Sequence, residues 1–144
     1  MQKTEYKSYA EKHTPNSPMG KNMIWAFCVG GAICVLGQLI ANFFEMRGME
    51  QENVSTAASI TLIFLSILLT GLDVYDAIAK HAGAGTIVPI TGFANAVASP
   101  AIEFKTEGYI LGVGAKMFVV AGPVITYGVV SSIFAGIFYY LFLM

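Results

Sequence analysis

AGAGTIVPITGFANAVASPAIEFKTEGYILGVGAK, residues 82–116, is the stretch whose reading decides the fold. Its first half is almost free of charge and long enough to cross a bilayer, yet Gly83, Gly85, Pro89, Gly92 and Pro100 interrupt it. Irregular backbone at membrane depth is tolerated only where protein buries it or a wet cavity solvates it. Broken apolar segments of this kind mark the solute path in many transport proteins. Written as a helix from Pro89, the stretch sets Thr91, Asn95 and Ser99 at i, i+4 and i+8, and Glu103 and Glu107 continue the spacing. Each step of four drifts by about 40°, so the polar stripe is slanted. Ala94, Ala98 and Ala101 make a small-residue row on another face, suited to close packing against a neighbouring helix. The stripe itself reads either as a pore wall or as a polar seam buried between helices. Pro100 has no N–H for the carbonyl of Ala96, which leaves an acceptor for water or a permeant cation.

Downstream, Glu103, Lys105 and Glu107 lie in EFKTEG, residues 103–108. Two carboxylates beside Thr106 suit weak Ca2+ binding, but without the rest of a ligand set a solvated loop is the preferred reading. No metal site is expected from them. Gly108, Gly112 and Gly114 are spaced for close helix approach. Lys116 borders the uncharged run 117–144, where it either snorkels to the interface or meets an anionic solute. That run closes on Tyr139 and Tyr140, fit for an aromatic belt.

Upstream, Asp73, Asp76 and Lys80 share one face of DVYDAIAKH, residues 73–81, with Asp76 and Lys80 in the favourable acid-before-base order. The segment reads as a membrane-surface turn of helix or as a charged vestibule around a pore mouth. Residues 54–72 are nineteen uncharged positions, enough to cross. Residues 22–44 make a span of roughly 34 Å with Trp25 near its start as an interface anchor. Within it Gln38 and Asn42 stand at i, i+4, as glue between helices or as pore lining. Cys28 and Cys34 point about 120° apart on one helix and cannot pair with each other.

Composition agrees with this reading. Hydrophobic residues make up 56% of the 144 and charged residues 12%, about half the share of a soluble domain. The expected fold is an all-α integral membrane protein. A tail, residues 1–21, precedes a single helical membrane domain, residues 22–144, with spans near 22–44, 54–72, 82–102 and 117–143. The third segment either crosses fully or re-enters; four crossings are preferred, with both ends on one side. The tail is polar, unlike a signal peptide, so the first span serves as its own targeting signal. Its Tyr6, Tyr9, Ala10 and His13 share a helical face that suits a headgroup layer as well as a solvated tail does. Lys3, Lys7, Lys12 and Lys21 against the lone Arg47 place the N terminus in the cytoplasm. With a net charge of −1 and no basic patch, a nucleic-acid partner is not expected. No catalytic set, phosphate loop or cofactor motif is present, and His13 and His81 are isolated. An enzyme is therefore not expected.

A family resemblance adds to this. AFCVGGAICVLGQ (26–38), LLTGLDVYDAIAKHAGAG (68–85), VPITGFANAV (88–97), IEFKTEGYILGVGAKMF (102–118) and AGPVI (121–125) together resemble the stage V sporulation protein AC family. That family is similar to the shorter AE sister protein of the same operon. The resemblance implies a membrane channel component of endospore formers, gated by membrane tension on one proposal. Its solutes would be dipicolinic acid and the Ca2+ chelate, taken into the developing spore and released at germination. It also implies the inner membrane of the forespore or spore, with the N terminus on the core side. The implied partners are the AE sister, other membrane subunits of that operon and a soluble AD protein. Four spans are too few to enclose a wide pore, so a homo-oligomer or hetero-complex is expected. A non-conducting scaffold subunit and a nonspecific mechanosensitive channel are the alternative readings. The family supplies no settled pore residues, and the site candidates rest on the residues themselves.

Overall fold

The structure, a computed structural model, describes Tyr9 and residues 18–143, and every element among them is helical. Apart from Tyr9, the expected interfacial face of the tail lies outside the described residues. Helix α1 (Met19–Met46) takes in the last residues assigned to the tail and runs past Phe44. Polar Lys21 and Glu45 do not end it, because helix termini at headgroup level are solvated and continuing the backbone ladder there costs little. Arg47 and Gly48, the latter at φ +80°, turn the chain into helix α2 (Gln51–Gly71). The two helices pair through contacts such as Leu62 lying over Gly37.

Asp73 follows, at φ +59° the one non-glycine residue in the left-handed region among those described. An Asp tolerates that conformation better than most side chains, and here it redirects the chain into the short helix α3 (Val74–Ala82). Lys80 and His81 occupy the last turn of α3, where cations complement the helix dipole. Gly83, at φ +51°, joins α3 to a single turn, α4 (Ala84–Ile87). Pro89, extended, then precedes α5 (Ile90–Glu103). A tight 3-10 turn (Phe104–Glu107), Gly108 at φ +94° and a π-helical turn (Tyr109–Gly114) lead into α6 (Ala115–Leu143).

Among the described residues three helical stretches are long and apolar enough to cross a membrane: Met19–Met46, Gln51–Gly71 and Tyr109–Phe142. The sequence reading counts four. The difference lies in residues 82–102, which are divided between the end of α3, α4 and α5. At 14 residues α5 is roughly 21 Å long, short of a hydrocarbon core of about 30 Å. Pro100 does not end it; the proline lies inside α5, with Glu103 as the last residue. The final span begins at Tyr109, before the expected residue 117, because the π-helical turn feeds α6 without a gap.

Among the described residues few apolar side chains are buried: Val54, Ala58, Tyr75, Ala82 and Ala94. Large apolar residues instead cover the outside, as on α1 and α6, which is the expected inversion where lipid is the solvent.

Candidate functional site

The densest knot of specific contacts lies where α2, α3, α4 and α5 meet. Two glycines make room for it. The backbone of Gly85 rests on that of Ala26, with Gly30 beside it, and a Cβ at Gly85 would overlap Ala26. A Cβ at Gly92 would overlap the carbonyls of Thr86 and Ile87. α4 is thereby wedged against α1, and α5 starts tightly under it.

Polar side chains tie the wedge in place. Ser66 on α2, 1% exposed, donates from Oγ to the Thr91 carbonyl at 2.6 Å. Tyr75 on α3, 5% exposed, donates its phenolic proton to the Thr86 carbonyl at 2.8 Å. Its oxygen lies 3.1 Å from Thr91 Oγ1. Because Tyr75 has one proton and the carbonyl can only accept, the Thr91 hydroxyl supplies the proton of that second bond. Thr86 closes on its own turn, Oγ1 donating to the Gly83 carbonyl at 3.0 Å. One turn further along α2, Thr70 Oγ1 lies 2.7 Å from the Ser66 carbonyl and 2.8 Å from Asn95 Oδ1. A single hydroxyl proton cannot serve both acceptors. The consistent arrangement turns the Asn95 amide so that its N–H donates to Thr70, which donates to Ser66. Among the described residues no buried side-chain nitrogen or oxygen lacks a partner. At membrane depth that completeness matters, since an unpaired hydroxyl in apolar surroundings costs about 1–3 kcal/mol.

The predicted stripe is thus split. Thr91 and Asn95 are engaged with α2 and α3, whereas Ser99, Glu103, Lys105 and Glu107 are exposed further along. Ala94, Ala98 and Ala101 line an apolar crevice of about 380 Å3 with Ile63, Ile67 and Met117. Lys116, half-buried, sets its ammonium 4.0 Å from the centre of the Phe104 ring, a cation–π contact across the 3-10 turn. Gly112 packs under the Phe104 carbonyl, and Gly114 lies near that of Tyr109. Of the vestibule candidates, Asp76 and Lys80 pair at 2.9 Å, both about 70% exposed, so the bridge contributes little. Asp73 forms the exposed turn ahead of them. Gln38 and Asn42 bond to each other along α1 at 2.8 Å on an exposed face. Cys28 and Cys34 are free, exposed thiols. No group of three or more His, Cys, Asp or Glu is close enough to hold a metal among the described residues.

Ser66, Thr70, Tyr75 and Thr86 are the members of the knot that sequence reasoning missed. Ser66 and Thr70 carried a signal: they are an i, i+4 hydroxyl pair in an otherwise apolar run, the same pattern as Gln38 and Asn42. Tyr75 and Thr86 carried none.

Helices of this length and apolarity, joined by a polar seam, define a helical integral membrane protein. The model of the family described as SpoVAC/SpoVAEB sporulation membrane protein matches residues 22–138. Stage V sporulation protein AC of Bacillus subtilis (strain 168) is 43% identical over 141 residues, covering 97% of this chain and 94% of that protein. No solved structure matches. The chain belongs to the SpoVAC/SpoVAEB family of sporulation membrane proteins.

Proposed function

We propose that this chain is a channel or transport subunit that passes dipicolinic acid and its Ca2+ chelate through the inner membrane of the developing spore, inward during sporulation and outward at germination. The observation that carries the reading is the fragmented segment α4–α5, set among longer helices in a family of sporulation membrane proteins. Short helices with free backbone ends inside a membrane domain belong beside protein or water, and in transporters they border the solute path. Dipicolinate is a flat dianion whose calcium chelate is close to neutral. Its conduit needs weak, distributed polar contacts and no deep trap, because conduction requires exit as well as entry. Ser99, Glu103, Lys105, Glu107 and Lys116 supply such contacts on the path, and Asp73, Asp76 and Lys80 form its charged mouth. The N terminus faces the spore core. Additional copies, or the AE sister and soluble AD proteins, complete the pore.

Sealed liposomes containing the purified chain, loaded with calcium dipicolinate and an unrelated anion of similar size, test this. Dipicolinate release on osmotic downshock is the expected result, reduced at least tenfold by Ser99→Leu in a normally inserted protein. Equal release of both anions would instead assign a nonspecific tension-gated channel. A second reading, a non-conducting scaffold for the complex, is favoured by the internal pairing of Thr91 and Asn95, which leaves neither free for a solute. Tight vesicles that begin to leak only when intact partner subunits are added, and stay tight when those partners carry pore mutations, would support it.

A further inference from the structure

The first two turns of α1 and the end of α3 enclose a crevice of about 450 Å3, lined by Met19, Asn22, Met23 and Ala26 on one side and by Lys80 and His81 on the other. Its depth is set by α1. Lys21 and Trp25 mark the point where that helix passes from charged to apolar sequence, the level at which lysines and indoles meet phospholipid headgroups.

The walls divide by chemistry. Met19, Met23 and Ala26 make an apolar floor, while Asn22, Lys80 and His81 form a polar rim. The Asn22 backbone N–H bonds the Pro18 carbonyl at 3.0 Å, while its side-chain amide makes no hydrogen bond among the described residues. Lys80 directs one N–H to Asp76 and keeps two more. His81 sets Nδ1 3.1 Å from the Ala77 carbonyl; that oxygen can only accept, so Nδ1 carries the hydrogen and Nε2 stays uncommitted. Lys80 is the charged residue of the lining and its partner Asp76 lies outside it, so the rim presents a cation and N–H donors but no carboxylate. A free anion would use the rim and leave the floor wet. An amphiphile with an anionic head uses both.

We infer that this crevice is a binding site for the phosphate headgroup of an anionic phospholipid, with the rim on the phosphate and its neighbouring hydroxyls and the floor under the start of the acyl chains. The inference is independent of whether the chain conducts.

The molecule carries its own reporter, because Trp25 is the single tryptophan and its ring centroid lies 6.1 Å from that of His81. Delipidated full-length protein in an uncharged detergent is titrated with short-chain phosphatidylglycerol, with phosphatidylcholine of the same chains, and with inorganic phosphate. Phosphatidylglycerol is expected to shift Trp25 emission at a concentration at least about tenfold below phosphatidylcholine, and inorganic phosphate to have no effect in that range. The double variant Asn22→Leu, Lys80→Gln should erase the preference, and Lys105→Gln, which removes a lysine outside the crevice, should keep it. Asp76→Asn, which frees Lys80 without touching the lining, should strengthen phosphatidylglycerol binding severalfold. Equal responses to the two lipids would overturn the site. So would saturation by inorganic phosphate at the same concentration, or a preference that survives the double variant or does not rise in Asp76→Asn.

Discussion

The seam between α2 and α5 and the far half of α6 are built from the same small and hydroxylated residues, yet they are used in opposite ways. In the seam, Ser66, Thr70 and Thr91 reach across to other helices, and Gly85 and Gly92 let backbones touch. In α6, Thr126 and Ser132 bond back to the carbonyls of Gly122 and Gly128 one turn earlier, and nothing lies within contact of Gly122, Gly128 or Gly136. A hydroxyl in a membrane helix is satisfied in either manner, so its presence alone does not announce a helix–helix contact. The backbone breaks around the seam distinguish the two cases. Thr86, in the single turn α4, and Thr91, in the first turn of α5, offer their carbonyls to side chains of neighbouring helices.

This contrast can be broken from either side. The largest effect is expected from Gly92→Ala, whose new methyl overlaps two fixed carbonyls; it should cost about 3 kcal/mol, the upper end for overpacking, read as a lower midpoint of unfolding in detergent. Tyr75→Phe keeps the ring and removes the bond to Thr86, and should cost about 1–2 kcal/mol in the same assay. A neutral result would mean that water replaces the phenol, and the seam would then be wet. The smallest effect is expected on α6, where Gly128→Ala meets open space and should stabilise by about 0.5–1 kcal/mol through helix propensity alone. A loss there would show that a neighbour outside this chain rests on that face.

Much of the helical framework could be read from residue order, and the reasons are local. Long uncharged runs around Ile33 and Ile63 leave a helix as the only way to pair every backbone group in lipid. Gly83 and Pro89 do stand between elements, as glycine and proline in such a run suggest. Pro100 is the counterexample: one missing N–H is tolerated late in a helix when Glu103 and a 3-10 turn end it a few residues on. The candidate stripe was legible as a polar face, but not what it faces. Whether Thr91 meets water or Tyr75 depends on α3 bringing its tyrosine to the start of α5, which follows a left-handed turn at Asp73 and leaves no periodic trace.

The contact of Gly85 with Ala26 also carries information about biogenesis. The two residues touch backbone to backbone, but α2 and α3 lie between them along the chain. As the protein leaves the ribosome, α1 and α2 are joined by a short turn and can enter the bilayer as a hairpin. α4, a single turn of four residues, has no length to insert by itself and can only dock on that hairpin once it stands. The surface on which α4 docks is thus supplied by α1, so the wedge depends on a helix that precedes it in the chain.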